Sequence, residues 1–195
     1  MADTAPRPLR ADAQRNRDRL LAVAVRAFSE DGADVTLDAI AKEAGVGIGT
    51  LYRHFPTREA LVDAAYRNEL DRLCDFAPQL LETGTAVQAL RTWMDHFIDY
   101  MAAKRGMGDA LKAVIASGGN PFAHSRDRLT GAVGALLAAG VAEGSLRDDV
   151  SAADVVTALG GIGMAAGTPE QREQAGRLLD LLVAGLRRHP GGPAA

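Results

Sequence analysis

Residues 36–61 read TLDAIAKEAGVGIGTLYRHFPTREAL, and this stretch decides the fold. Thr36 is a residue type that caps helix N-termini, and the apolar positions 37, 40, 41 and 44 then recur at helical spacing. Gly45 predicts the end of that short helix, because glycine accepts the left-handed backbone found there. A second short helix is predicted from Gly47 to Phe55. Two helices joined by a tight glycine turn are the outline of a helix-turn-helix.

Helical signals continue on both sides of this stretch. Upstream, apolar residues repeat at helical spacing over 15–30. Downstream, Thr57 predicts the start of a long fourth helix, and Asn120-Pro121 is an N-cap with proline at the first helical position. Ser151 and Thr168 predict two later starts. No alternating strand pattern and no internal repeat occurs. The sequence therefore predicts an all-α protein of about nine helices.

The same signals suggest three regions. Residues 1–13 are predicted to form a flexible basic arm, 14–56 a three-helix helix-turn-helix domain, and 57–195 a larger helical bundle for ligand binding and dimerisation. Arg7 and Arg10 in the arm are either a solvated tail or side chains that enter a DNA minor groove.

Composition excludes several classes of protein. The 195 residues are 47% hydrophobic and 24% charged with a net charge of -3, which is typical of a globular protein. The longest apolar run, 155–167, is short and interrupted by glycines, so no membrane partner is expected. Cys74 is the single cysteine, so it has no disulfide partner within the chain. We expect a cytoplasmic location and no cofactor. The overall charge does not exclude a nucleic-acid partner, because DNA responds to the local field.

The helix from Gly47 to Phe55 carries the chemistry of the motif. Leu51 and Phe55 are spaced i, i+4 and can anchor it on a small core. Its opposite face presents Thr50, Arg53 and His54, hydrogen-bond donors of the kind that bind phosphates and base edges. Glycine at 47 and 49 would let the first amides of the helix approach a phosphate closely.

Residues 15–61 resemble the DNA-binding domain of the TetR family of bacterial regulators, and the match runs through 36–41 and 45–61. The resemblance implies a serine or alanine where this chain has Gly47. Residues 62–195 resemble the ligand and dimer domains of actinobacterial TetR-type proteins, through AKRG at 103–106 and GSLRDDV at 144–150. The resemblance of residues 15–61 implies that phosphates are contacted by Thr36, Thr50, Tyr52 and His54, bases by Ile48 and Arg53, and the DNA backbone by Arg58. The predicted DNA-binding set also includes Gly47, Gly49, Arg7 and Arg10.

Some of these assignments have a structural alternative. Ile48 is three residues before Leu51, so helical spacing would bury it, although its place in the first turn favours contact with a thymine methyl group. Gly47 caps its helix less firmly than serine would. The alternative function that Gly47 supports is a small-molecule-binding helical dimer with a weak or vestigial DNA-binding head.

Aromatic residues, which form only 5% of the chain, gather on the fifth predicted helix, roughly 86–104. They form either an ordinary core or the wall of a pocket for an unknown small molecule with a few polar groups at its rim. The predicted pocket residues are Tyr66, Leu70, Trp93, His96, Phe97, Tyr100, Met101, Val114, Ile115, Phe122, His124 and Met164.

An enzyme interpretation has little support. Asp95, His96 and Asp99 lie on one predicted helix, and His124 and Asp127 on another, at spacings that could build a metal site or an acid–base pair. Salt-bridged helix faces explain them better. No nucleophile motif occurs, and Cys74 is better read as a small buried hydrophobe than as a redox sensor.

The last two predicted helices carry apolar and small residues suited to association. We expect a homodimer, because one head reads too few base pairs for useful specificity on a palindromic operator. The predicted function is a ligand-responsive transcriptional regulator, more specifically a repressor released from double-stranded DNA by a ligand. The predicted dimer interface comprises Gly160, Gly163, Leu178, Leu179, Leu182, Val183 and Leu186.

Overall fold

A computed structural model describes residues 7–30 and 34–188 of the chain, with side chains from residue 11 onward. The described residues contain no strand, only an isolated bridge between Leu146 and Arg187. The all-α prediction is therefore confirmed. The helices in these ranges are α1 (Arg7–Glu30), α2 (Leu37–Glu43), α3 (Ile48–His54), α4 (Arg58–Thr83), α5 (Ala86–Gly106), α6 (Gly108–Ala116), α7 (Ser125–Ala142), α8 (Ala152–Ala165) and α9 (Pro169–Leu186).

The chain divides into two compact units. The first contains the described parts of 1–68 together with 103–121, and the second contains 69–102 together with the described part of 122–195. The first unit thus extends beyond the predicted head, 14–56, and includes the start of α4, the end of α5 and the whole of α6.

In the first unit α1, α2 and α3 pack on one another around a small apolar core. Phe28, Ile40 and Leu51 are completely buried, and Phe55 is nearly so. Gly45 has a φ of 67°, and its amide donates to the Lys42 carbonyl at 3.1 Å while the next amide donates to the Ala41 carbonyl at 3.0 Å. These two hydrogen bonds end α2, and the chain then turns into α3.

The end of α5 crosses α1 within the first unit. The Ser29 hydroxyl lies 3.3 Å from the Ala103 carbonyl, to which it donates. A Cβ placed on Gly106 would lie 2.7 Å from the Ser29 carbonyl oxygen and 2.8 Å from its Cα. Only a residue without a side chain fits at this crossing.

The core of the second unit is built around α5. Trp93 is completely buried, and its indole N–H donates to the Leu73 carbonyl of α4 at 2.8 Å. Gly163 of α8 leaves room for Met101 of α5, since a Cβ there would lie 2.9 Å from the Met101 Cγ. These contacts position α4 and α8 against α5.

Several predicted helix ends agree with the structure. The Thr57 hydroxyl accepts from the Ala60 amide at 3.1 Å, and the Ser151 hydroxyl accepts from Asp154. Thr168 and Gln171 form a full capping box, with proline following the cap. These helix starts were predictable from the sequence, because a hydroxyl side chain at the N-cap accepts a hydrogen bond from the otherwise unpaired backbone amide three residues later.

Two predicted starts were wrong. α1 begins at Arg7, so residues 7–13 of the predicted flexible arm are helical; proline is tolerated in a first turn, and Gln14 bonds Asp18 one turn on at 2.7 Å. α7 begins at Ser125 and not at Pro121. Residues 121–124 form a turn, in which the Ser125 amide donates to the Phe122 carbonyl at 3.1 Å. Pro121 is buried within this turn, and the regular buried face of α7 begins only at Ser125.

Candidate nucleic-acid interface and ligand cleft

The outer face of α3 is the part of the first unit best placed to meet DNA. Leu51 and Phe55 are buried beneath it, as the i, i+4 spacing predicts. This anchoring turns Gly49, Tyr52 and Arg53 outwards, where all three are exposed, and leaves Ile48, Thr50 and His54 partly exposed. Ile48 is thus neither core nor fully open, and its contact with a base stays a prediction.

The N-terminus of α3 is held by the backbone alone. Gly47 is the N-cap, with φ -71° and ψ 146°, and no side chain caps the helix. Its carbonyl accepts from the Thr50 and Leu51 amides at 2.8 and 3.2 Å. A Cβ at Gly47 would meet nothing within 4 Å. Neither flexibility nor crowding therefore requires glycine here.

Thr36 and Arg58 both have roles inside the head. The Thr36 hydroxyl accepts from the Ala39 amide at 3.2 Å, which leaves its proton available for donation. The Arg58 guanidinium donates to the Val35 carbonyl and stacks over the Phe28 ring with its carbon 4.8 Å from the ring centroid. Arg58 thereby braces α4 against α1 and the start of α2, and its contact with a phosphate stays a prediction.

Arg7 and Arg10 belong to α1 by their backbone. Their side chains lie outside the described residues, so the predicted minor-groove contact stays a prediction.

The predicted aromatic pocket is largely core. Trp93 and Phe97 are buried with ring centroids 5.8 Å apart, and Tyr100 lies 6.0 Å from Phe97. Tyr66, Leu70 and Val114 are buried as well. Met101 and Phe122 are partly exposed, and His124 is exposed.

Two residues of the predicted pocket lie on the surface of their own units. Ile115 is 49% exposed and Met164 is 72% exposed, so neither is enclosed within its own unit. Helical spacing identifies the buried stripe of a helix but not its edges, and both residues fall just outside that stripe.

A cavity of about 600 Å³ lies between α4 and α5 in the second unit. Of the predicted pocket residues, His96 and Tyr100 line it. The predicted pocket residues of α4, Tyr66 and Leu70, do not line it. The α4 residues that do were not predicted, although positions 69, 72, 73, 76 and 79 share one helix face, a signal that the sequence carries. The remaining lining residues are Glu69, Arg72, Leu73, Asp75, Phe76, Gln79 and Asp99. We call this cavity the α4–α5 cleft.

The carboxylates of α5 are held in ion pairs with α9. Arg172 lies 3.3 Å from both Asp95 and Asp99, and Arg91 contacts Asp95 and lies 2.6 Å from Asp180. Across residues 7–30 and 34–188, no three His, Cys, Asp or Glu side chains come together as metal ligands. These acids stabilise the packing of α5 on α9.

Cys74 is buried on α4, as predicted. Burial raises the pKa of its thiol above the ordinary value, and the nearby Arg128 guanidinium partly offsets this. A thiol that stays protonated is a poor nucleophile.

The predicted dimer interface is divided by the structure. Four of its residues are buried within their own unit, so their part in a dimer interface stays a prediction: Gly163, Leu179, Val183 and Leu186. Gly160 and Leu182 are partly exposed, and Leu178 is exposed. Leu181, which was not predicted, is 68% exposed beside them. The apolar stripe of α9 is wide enough for its middle to face the core while one edge faces outward.

No described helix combines the length and apolar character needed to cross a membrane.

Comparison with known proteins covers both units. Residues 20–65 match the family described as "Bacterial regulatory proteins, tetR family", and residues 85–188 match "Transcriptional regulator SbtR-like, C-terminal domain". A TetR transcriptional regulator of Streptomyces coelicolor is 56% identical, with a TM-score of 0.84 over 88% of this chain and 98% of that one. A TetR regulatory protein of Mycobacterium vanbaalenii is 34% identical, with a TM-score of 0.76 over 93% and 100%.

A third similarity is with an HTH-type transcriptional regulator of Staphylococcus aureus strain MRSA252. It is 41% identical over 107 residues, or 54% of this chain. The chain spans 58% of the length of the curated relatives that it matches.

Proposed function

Because the chain belongs to the TetR family of bacterial transcriptional regulators, which are not enzymes, we propose that it is a homodimeric repressor released from a palindromic operator by a small-molecule ligand. It acts on double-stranded DNA, and therefore in the cytoplasm of a bacterial cell.

The exposed face of α3 carries the proposal. Tyr52 and Arg53 stand on a helix anchored by two buried residues, so their backbone positions are held firmly. Rigid placement matters, because a base-reading side chain must meet donors and acceptors of fixed geometry. Arg53 is the residue on this face with a forked guanidinium, the group that pairs with both acceptors of a guanine.

Replacement of Arg53 by alanine tests this assignment. We expect Arg53→Ala to lose preference at one base-pair position, at a cost of about 1–3 kcal/mol, while nonspecific binding changes little. His54→Ala should instead weaken binding to all sequences to a similar extent. Arg147→Ala, an exposed arginine of the second unit, is the matched control. An equal loss on every sequence would make Arg53 a phosphate contact.

Dimerisation is supported by the outer edge of α8 and α9. Met164 and Leu181 are 72% and 68% exposed, so two large apolar side chains face solvent in a single chain. Two copies related by a twofold axis would cover these residues and present two heads to the two half-sites of a palindrome. Leu181→Glu should give a monomer in sedimentation equilibrium and lose operator binding. A wild-type chain that sediments as a monomer would contradict the proposal.

Release by ligand needs a structural connection. α4 contributes its first turns to the first unit and the rest to the second, so one helix joins head and ligand domain. A ligand that binds more tightly when α4 is in one position than in another stabilises that position. Such a ligand changes the fraction of dimers whose two heads are spaced to match the operator half-sites. Deletion of the gene should raise transcription of its target genes; a fall would identify an activator.

One observation favours the second candidate function, a ligand-binding dimer with a vestigial head. Gly47 leaves α3 without a side-chain cap. A titration of DNA affinity against salt separates the two functions, because a working head releases counterions and shows a steep slope. A flat slope with weak binding would establish the vestigial head.

A further inference from the structure

We propose that the α4–α5 cleft binds an organic cation with a bulky apolar or aromatic body. The inference rests on the proposed ligand response and names the chemical class of ligand. It follows from the shape and the charge of the cleft.

The floor of the cleft is apolar. Leu73 and Tyr100 are buried and Phe76 is partly exposed, and all three line it. The His96 ring meets the Phe76 ring nearly at right angles, with centroids 4.8 Å apart. A cavity of about 600 Å³ lies within the range of roughly 300–1,000 Å³ that holds drug-sized ligands. The floor therefore fits an apolar body, and the faces of aromatic rings attract cations.

The rim of the cleft is negative. Glu69, Asp75 and Asp99 line it against Arg72 alone, which gives three negative charges and one positive. A carboxylate at the rim attracts the positively charged part of a ligand whose apolar body lies on the floor.

Ion pairing outside the cleft does not cancel this charge. Arg128 forms ion pairs with both Asp75, at 3.2 Å, and Asp71, at 2.9 Å. Arg172 likewise forms ion pairs with Asp99 and Asp95, both at 3.3 Å. Arg128 and Arg172 each pair with one acid of the rim and one acid outside it, so neither neutralises a rim carboxylate completely.

The sum over this ion-pair network stays negative. Five carboxylates face three guanidinium groups, an excess of two negative charges among the described residues, and Arg91 with Asp180 adds one of each sign. A negative field over a partly enclosed apolar floor concentrates cations and repels anions. The five carboxylates are Glu69, Asp71, Asp75, Asp95 and Asp99, and the three guanidinium groups are those of Arg72, Arg128 and Arg172.

The test uses two probes of one shape and opposite charge, tetraphenylphosphonium and tetraphenylborate, with the full-length chain free of DNA. Isothermal titration calorimetry should show binding of the phosphonium, and binding of the borate at least about tenfold weaker. Equal affinity for the two ions, or tighter binding of the borate, would overturn the proposal.

Three variants place the ion in the cleft. Asp99→Asn should weaken phosphonium binding by about threefold to tenfold, because it removes one rim charge. Arg72→Gln should strengthen it by a similar factor, because it removes the one positive charge of the rim. Arg72 is 69% exposed, so its replacement spares the fold. Asp109→Asn, an exposed acid of α6, is the matched control and should change nothing.

A gain of affinity in Arg72→Gln is the decisive result, since damage to the fold does not tighten binding. Unchanged or weaker phosphonium binding by that variant would refute the proposal. Operator binding is measured separately on the same samples. A chain that binds DNA but does not distinguish the two ions refutes only the ligand class, whereas selective phosphonium binding without DNA binding refutes only the proposed function.

Discussion

The crossing of α1 and α5 offers a sharp perturbation, Gly106→Ala. The added Cβ would lie 2.7 Å from the Ser29 carbonyl oxygen and 2.8 Å from the Ser29 Cα and Cβ. Ordinary contacts of a Cβ begin at about 3.4 Å, so the two helices must separate by about 0.7 Å. The obstructing atoms include backbone, which does not rotate away as a flexible side chain would.

Overpacking of this kind costs about 1–3 kcal/mol. Alanine regains up to about 1 kcal/mol of helix propensity relative to glycine, and less at the last residue of a helix. We therefore expect a net loss of about 1–2 kcal/mol in the free energy of unfolding.

Urea unfolding followed by circular dichroism at one fixed protomer concentration measures this loss. Gly108→Ala is the matched control, because a Cβ at the first residue of α6 meets nothing within 4 Å. It should be neutral or slightly stabilising. Equal unfolding midpoints for the two variants would refute the reasoning about the crossing.

Three further predictions concern single residues. Gly45→Ala should lower the free energy of unfolding by about 1–2 kcal/mol, since φ is 67° there; an unchanged urea midpoint would contradict this. Gly47→Ser should raise it by about 0.5–1 kcal/mol without weakening DNA binding, because serine can accept from the Thr50 amide in open space; a lower midpoint would show hidden crowding. Cys74 should react with iodoacetamide at pH 8 much more slowly than in the urea-unfolded chain, because burial hides the thiol and raises its pKa; equal rates would disprove that environment.

The head could be predicted from sequence in detail because its signals are local. The helix cap at Thr36 and the turn at Gly45 each depend on residues within four positions. The anchoring of α3 by Leu51 and Phe55 depends on a spacing of four. Interactions of this range leave their mark in the order of residues.

The cleft could not be predicted in this way. The sequence left open whether Trp93 and Phe97 form a core or a pocket wall. Both are buried, and the Trp93 indole donates to the backbone of α4. Whether a helix face is filled or open depends on which residues of a partner helix oppose it. For His96 and Tyr100 that partner is the face of α4 around Phe76, and helical spacing on one helix alone does not pair the two.

The same reason applies to α9. Its repeat of Leu179, Val183 and Leu186 predicted an apolar face, and the face exists. Burial against its own unit or against a second copy produces the same repeat, so the sequence alone did not distinguish the two. The exposed edge at Leu178 and Leu181 became apparent only once the core was placed.

The central claim is that the outer face of α3 reads DNA sequence. Selection of bound fragments from a random DNA pool by the full-length chain tests it most directly. We predict enrichment of one inverted repeat with half-site centres about 10 base pairs apart, and loss of preference at one position of each half-site for Arg53→Ala. A pool that stays random, or an enriched site that Arg53→Ala binds with unchanged preference, would contradict the claim.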